Sequence, residues 1–360
     1  MAGGPQRTVA VLAGGTTGER AVSLGTGRAV AEALAERGHR ALPVELDVVH
    51  GRPVWSHDGH AGSPLALLEG PLAEVEAFFL ALHGGDGEGG VIQGFLETLR
   101  LPHTGSGVAA SALCLDKVSL LERMETADVR TARRLLLVAG SPDLEAELQR
   151  AATLPGAATG LVVKPRHGGS SVATVRLDAG PGLAADLRAA VAAIHGSPTE
   201  PDDALIEVRI PGVEASVGVL EDADGHPRAL PVAEIRPEAD RFFDYQQKYA
   251  EDGATELVPA ESLPPDLVER LQHLSLEVHR RAGCSGYARV DFMCPEDGPG
   301  GGFGEPVLLE INTLPGLTPR SILPKQAAAA GLPFGELCEA ILEAGLRSRR
   351  ACNGSSLGAE

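Results

Sequence analysis

Leu308-Leu309-Glu310-Ile311-Asn312 and, just upstream, Arg289-Val290-Asp291-Phe292 decide how this 360-residue chain is read. Side chains alternate faces along a strand, so residues two apart point the same way. Arg289 and Asp291 then share one face, with Ala288, Val290 and Phe292 on the apolar one. Glu310 and Asn312 likewise share a face, opposite Leu309 and Ile311. The Gly-rich connection from Asp297 to Gly304 could close an antiparallel hairpin between the two runs. Two carboxylates, an amide oxygen and a guanidinium would then meet on one side of a sheet. That is a hard-oxygen site for magnesium with a cation beside it, as phosphate chemistry requires. A solvated strand face with a salt bridge is the plain alternative.

Composition adds a second clue. Lys and Arg together number 31, yet only Lys117, Lys164, Lys248 and Lys325 are lysines. Where surface charge is written as arginine, a retained lysine points to a need for a compact point charge. None is followed by Ser or Thr, which excludes a Walker A loop. The net charge of −18 argues against a nucleic-acid partner. The phosphates of a nucleotide would therefore need cations gathered locally. Cys114, Cys284, Cys294, Cys338 and Cys352 form no CxxC pair and read as reduced thiols. No apolar run reaches the length of a membrane span, and the first residues lack the apolar core of a signal peptide, so the expected location is cytoplasmic, without a membrane partner.

Along the chain, Thr8 to Ala13 reads as a buried strand, followed by Gly14-Gly15-Thr16-Thr17-Gly18 and a helix ending near Gly38. Strands are expected at 41–46 and 77–82, and a surface hairpin or loop at 51–62. This is an open α/β layer. Gly-Gly-x-x-Gly is not the dinucleotide fingerprint. Gly105-Ser106-Gly107 opens a second unit, with helices expected at 109–126, 143–152 and 183–195 and strands at 161–164 and 172–177. Short strands dominate from Ala204, before helices at 265–282 and 335–346. The expected fold class is α/β, with α+β character in places. The units are 1–105, 106–203 and 204–346, with 347–360 a flexible tail.

Lys164-Pro165-Arg166-His167-Gly168-Gly169-Ser170-Ser171-Val172 lies between two expected strands. Consecutive glycines let backbone N–H groups turn toward an anion, and the serines add donors. In order along the chain stand Gly14-Gly15-Thr16 with Glu19-Arg20, His83-Gly84 through Glu88, Asp116-Lys117, the 164–172 loop, and Phe243-Asp244-Tyr245 with Lys248-Tyr249. Arg289-Val290-Asp291, Glu310 through Gly316, and Ser321 through Lys325 complete the series. From Val9 to about Leu346 this ordered set resembles the D-alanine–D-alanine ligases of the ATP-grasp superfamily.

The resemblance implies a three-domain ATP-grasp architecture, with ATP bound between the central and C-terminal domains. It implies that Lys117 and Lys164, with Gly169, Ser171 and Lys248, hold the ATP phosphates. Glu207 and Val208 form the adenine-side hinge, with Glu214 near the ribose. Asp291, Glu310 and Asn312 hold two magnesium or manganese ions. Glu19 takes the ammonium of the first D-alanine, and Ser170 and Tyr249 link to it. Ser321 and the backbone at Ile322 take the carboxylate of the second D-alanine. Arg289 and the Gly316 N–H stabilise the tetrahedral oxyanion. Residues 242–250 correspond to a lid, and a homodimer through the first domain is expected.

Four departures stand out: Gly89 after Glu88, Ala173 closing the phosphate loop, Val213 before Glu214, and no proline-rich entry at 126–137. Lys325 has no assigned task. His83 and His103 are expected to be structural, either of them capping a turn. Alternatives are a relative with another second substrate, such as D-serine or D-lactate, and a nucleotide-binding regulator without turnover.

Overall fold

Val9-Ala10-Val11-Leu12 is apolar without alternation, the pattern of a strand covered on both faces. In the computed structural model, which describes residues 6–168, 173–198, 200–236, 255–297 and 302–354, this run is fully buried. It lies in β1 (Thr8–Gly14), which leads into α1 (Arg20–Glu36). Then come β2 (Arg40–Val49), β3 (Arg52–His57), β4 (His60–Gly62), α2 (Pro64–Leu68) and β5 (Ala77–Leu80). The sheet order is β4-β3-β2-β1-β5, with β1 parallel to β2 and β5. Gly38 follows α1 at φ +91°, a conformation that favours glycine, as expected of a helix end. The 51–62 insertion is a hairpin that extends the sheet. It is pinned because Trp55 is buried against Phe78 and Phe95, with ring centroids 6.2 and 5.7 Å apart.

Two short helices, α3 (Gly85–Glu88) and α4 (Val91–Thr98), lead to α5 (Val108–Leu115) and α6 (Lys117–Glu125). The single helix expected over 109–126 is broken at Asp116. Its carboxylate accepts from the N–H groups of Val118 (3.1 Å) and Ser119 (3.2 Å), starting a new helix. β6 (Arg134–Leu137), α7 (Leu144–Ala152), β7 (Leu161–Pro165), β8 (Val175–Leu177), α8 (Leu183–His195) and β9 (Ala204–Val208) follow. They form an antiparallel sheet of order β6-β9-β7-β8, with Leu148, Leu187, Val191 and Ile194 of the helices packed into its core. β9 sits inside this sheet, so the strand that the sequence reading placed at the start of the last unit belongs with the middle one. Register pairing with β6 and β7 overrides the linker signal at 198–203.

The third sheet takes β10 (Gly212–Glu221), β11 (Pro227–Ala229), β12 (Ala233–Arg236) and β13 (Thr255–Leu257). After α9 (Pro265–Ala282) it adds β14 (Tyr287–Asp297), β15 (Gly302–Phe303) and β16 (Val307–Asn312). Its order is β13-β12-β10-β14-β15, with β16 paired to β14. Leu267, Leu271, Leu274 and Val278 recur at helical spacing on α9 and bury against Val217 and Val290. Leu120, Leu121 and Met124 of α6 enter the same core, so the helices that open the 106–203 segment pack with the last sheet and not with the central one.

α10 (Ile322–Ala329) and α11 (Phe334–Gly354) close the chain. α11 returns to the first sheet: Leu337, Cys338, Ile341 and Leu342 share a core with β1. Arg37 Nε donates to Glu339 at 2.8 Å, and Arg7 Nε donates to Glu343 at 3.2 Å. The helix expected to stop at 346 continues through Gly354, with Arg347 Nη2 bonded to the Asp222 carbonyl at 2.7 Å. A tail beginning at 347 is therefore corrected to helix as far as Gly354, and residues 355–360 lie outside the described part.

Gly345 shows how closely α11 docks. A Cβ there would lie 2.6 Å from the His103 carbonyl oxygen and 2.8 Å from Thr104 Cα, both backbone atoms. Gly345→Ala should therefore destabilise the fold by about 1–3 kcal/mol, read as a lowered midpoint in urea unfolding. An unchanged midpoint would show that the helix can slide without cost.

Candidate active site

β14 and β16 pair antiparallel with Asp291 opposite Glu310 and Arg289 opposite Asn312. The polar face expected from the two sequence runs therefore exists. Arg289 and Asp291 are both buried, and the guanidinium grips the carboxylate: Nε to Oδ1 at 2.9 Å and Nη2 to Oδ2 at 2.7 Å. Ser216 Oγ, from the neighbouring strand β10, donates to the same Oδ1 at 2.5 Å. Asn312 Nδ2 lies 3.4 Å from both Asp291 Oδ2 and Glu310 Oε1. A cation held here requires the amide to present its oxygen, a half-turn about its terminal bond. With that turn the donor set is two carboxylates and an amide oxygen, all hard, and it fits magnesium or manganese.

The strict alternation fails at one position. The register jumps between Asp291↔Glu310 and Phe292↔Leu308, so Leu309 is the extra residue of a β-bulge. Leu308 and Ile311 fill the core, whereas Leu309 turns into a cleft of about 350 Å³. The same cleft is lined by Lys117, Lys164, Glu207, Val208, Glu214, Arg289, Asp291 and Glu310. It lies between the central sheet and the third. Met293, Val162, Ile210 and Ile322 give it apolar walls that the sequence reading did not anticipate. An apolar residue, in a strand, a loop or a helix, carries no signal that separates core from cleft.

Lys164 pairs with Glu207 at 2.8 Å, both side chains buried, and Lys117 Nζ lies 3.7 Å from Glu310 and is hydrogen-bonded to the Gly168 carbonyl. The Val208 N–H is taken by the Arg133 carbonyl at 2.8 Å, and that of Arg209 by Gly160 at 3.0 Å. Among the described residues, the Ile210 N–H meets no backbone carbonyl.

The base of the 164–172 loop is held by charge. Arg166 clamps Asp116 at 2.9 and 2.7 Å and reaches Asp203 at 3.4 Å. Burial works to raise the Asp116 carboxyl, but the Arg166 and Ser119 hydrogen bonds outweigh it and hold it well below the usual carboxylate range. The Asp202 carboxylate, 2.9 Å from His167 Nδ1, pushes that imidazole up. Ala173, in place of the family's glycine, stands at φ +60°, a left-handed conformation that costs a non-glycine residue on the order of 1 kcal/mol. Gly169, Ser170, Ser171, Lys248 and Tyr249, and all of 242–250, lie outside the described residues.

Glu19 belongs to a second cluster. It is buried at the start of α1, and a Cβ on Gly84 would come within 2.7 Å of its Oε2. Beside it Glu88, also buried, accepts from the N–H groups of Gly84 (3.1 Å), Thr313 (3.2 Å) and Leu314 (3.4 Å). His83 Nδ1 lies 2.9 Å from the Leu314 carbonyl, so His83 ties the first unit to the segment after β16 and does not merely cap a local turn. Gly89 also finds its reason: a Cβ there would meet Leu115 Cδ2 at 2.7 Å and the Gly85 carbonyl oxygen at 2.9 Å. Two residues beyond Leu314, Gly316 approaches Ser321, whose Oγ would be 3.0 Å from an added Cβ. Ser321 Oγ accepts from the Thr318 N–H at 3.2 Å and makes no cap bond to its own helix α10. The segment 312–321 thus joins the two clusters.

Residues 139–343 match the family model described as the D-ala D-ala ligase C-terminus. A D-alanine–D-alanine ligase of Nitratidesulfovibrio vulgaris is 38% identical, covering 94% of this chain and 98% of that protein. One of Citrifermentans bemidjiense is also 38% identical, over 94% and 96%. Among solved structures, the D-alanine–D-alanine ligase of Bacillus anthracis complexed with ATP aligns with TM-score 0.72 at 29% identity, covering 96% of this chain and 99% of that one. The enzyme from Coxiella burnetii aligns with TM-score 0.75 at 25% identity, over 98% and 97%.

Burial first, then the charge of Glu19, pushes the Glu88 carboxyl from 4.5 up to about 7, against the Gly84 and Leu314 N–H groups. An acid raised in the folded state stabilises the fold fully below its unfolded value and loses that contribution as pH climbs through the folded one. Between pH 4.5 and 7, in chelator, the stability advantage of the native chain over Glu88→Gln should shrink by on the order of 3 kcal/mol. Parallel stability curves for the two proteins across that range would contradict this.

Proposed function

This chain belongs to the D-alanine–D-alanine ligase family, and on that premise we propose that it joins two D-alanines to D-alanyl-D-alanine with ATP, for peptidoglycan precursors. The observation that carries the reading is the apposition of Asp291 and Glu310, with Asn312, in the wall of a cleft that also holds Lys117 and Lys164. Lys117 and Lys164 bind the phosphates, joined by Gly169, Ser171 and Lys248 by the family pattern. A base seated against Glu207 and Val208 takes its backbone donor from Ile210, since the Val208 N–H is already bonded to Arg133. Glu214, on the same wall, is the partner for the ribose. Asp291, Glu310 and Asn312 hold magnesium or manganese, two ions by the family pattern, which when bound neutralise phosphate charge.

Glu19 takes the ammonium of the first D-alanine and so aims its carboxylate at the γ-phosphate, with Ser170 and Tyr249 completing that contact. Attack gives an acyl phosphate and ADP, a step that depends on alignment more than on covalent help from the protein. The second D-alanine lays its carboxylate on Ser321 Oγ and the Ile322 N–H at the start of α10, where the helix dipole favours an anion. Its amine then attacks the acyl carbon and phosphate leaves. Arg289, held in place by its grip on Asp291, stabilises the oxyanion together with the Gly316 N–H.

The same reading carries the finer domain assignment (first sheet to about 105, the central sheet through β9, the remainder C-terminal), a cytoplasmic location and a homodimer. Among the described residues no helix is long and apolar enough to cross a membrane.

Protein incubated with ATP, magnesium and D-alanine should release phosphate and yield the dipeptide by mass spectrometry, with D-serine and D-lactate as competing second substrates. ATP turnover independent of any D-amino acid would reject the proposal. Asp291→Asn should lower turnover about a hundredfold or more, since several kcal/mol of charge stabilisation is lost. A variant within threefold of the native rate would remove Asp291 from the site.

A further inference from the structure

Lys325 is one of the chain's four lysines, and the ligation chemistry leaves it without a task. It sits in the first turn of α10, where the helix macrodipole disfavours a cation. Its Nζ lies 2.7 Å from Glu256 Oε2, and the Glu256 side chain is only 10% exposed. Glu256 belongs to β13, a three-residue strand that among the described residues pairs only to β12, with Ile235 opposite Glu256. Below the same turn of α10, Ile322 packs into a small separate core with Ala233 and Ile235, against Val258. The start of α10 is therefore held on its inner side by Ile322, by the buried Leu323 and by Gln326 Nε2 donating to the Ser216 (2.8 Å) and Pro231 (3.0 Å) carbonyls, and on its outer side by the ion pair.

That turn must hold its direction. Ser321 leaves its own helix uncapped and bonds instead to Thr318, while Pro324 has no N–H to offer. The orientation of the Ile322 and Leu323 N–H groups then depends on what anchors the turn from outside. An exposed ion pair would matter little. Here the carboxylate is largely removed from water, and losing Lys325 would strand it.

We infer that Lys325 and Glu256 form a positioning pair that orients the start of α10 toward the second D-alanine, and so sets the affinity of that subsite without touching the reacting atoms. This rests on the ligase reading above. Removing the ammonium releases the outer side of the turn, which then tilts about the inner contacts of Ile322, Leu323 and Gln326. The second substrate's carboxylate then loses alignment with Ser321 Oγ and the Ile322 N–H, while the ATP phosphates and the first D-alanine are held by other elements and Ile322 lends the nucleotide cleft only an apolar contact.

The test is steady-state kinetics on the full chain, resolving the two D-alanine KM values, for Lys325→Ala, Glu256→Gln, Lys325→Arg and the double reversal Lys325→Glu with Glu256→Lys. Lys325→Ala and Glu256→Gln should each raise the second KM about five- to twentyfold, leaving the first KM and that for ATP within twofold. Lys325→Arg and the double reversal should recover most of the loss. Unchanged second KM values overturn the inference, as does an equal rise in all three constants, or a reversal that recovers nothing. A native protein that makes no dipeptide overturns the ligase reading and this inference together. A native protein that makes it, beside unaffected variants, overturns the inference alone.

Discussion

Placing Asp291 opposite Glu310 brings two carboxylates together in a partly dehydrated cleft, an arrangement that like-charge repulsion opposes. The fold answers with cations and donors from several directions. Arg289 chelates Asp291 from the same strand, Ser216 donates from β10, and Lys117 approaches Glu310 from the head of α6. None of these partners is local to both acids. The register of β10, β14 and β16 must therefore be right before the site is electrostatically tolerable, and that register is fixed by the apolar face beneath. Val217, Val290 and Ile311 lock it, because a slip of one residue would expose them and bury the charges.

The remaining architecture delivers parts to this face. The central sheet brings Lys164 and Glu207 as a buried pair from adjacent strands, so one cation reaches the cleft already partly compensated. The Asp116–Arg166–Asp203 network, with His167 on Asp202, ties the start of the 164–172 loop to the turn that begins α6. From the first unit, His83 and Glu88 grip the backbone of Thr313 and Leu314, directly after β16. The segment that leads to Gly316 and Ser321 is thereby tied to the first unit. The Asp291–Glu310 face and the Ser321 turn are joined by ten residues of chain, 312–321.

Much of this was legible in the residues. Period-two alternation put Arg289 with Asp291 and Glu310 with Asn312, and the pleat leaves no other outcome once both runs are strands. The continuous apolar run at Val9–Leu12 signalled a strand covered on both faces, and Gly38 marked the end of α1. The scarcity of lysine singled out Lys117 and Lys164, which meet in one cleft. Alternation misled at Leu309, since a bulge depends on the partner strand and leaves no mark in its own sequence. The break at Asp116 could have been read from an Asp two and three residues ahead of the N–H groups it accepts. The position of β9 could not, because a linker-like 198–203 does not say which sheet the next strand joins.

What the sequence alone determined, then, is which residues share a face and which chemistry they can support, because covalent geometry fixes side-chain direction within an element. Only the tertiary structure decided that Glu88 holds Thr313 and Leu314, that α11 runs on to pack against the first sheet, and that Lys325 meets Glu256. These contacts join residues far apart in the chain. Their existence follows from how whole sheets and helices bury apolar surface together, a property no local stretch of sequence carries.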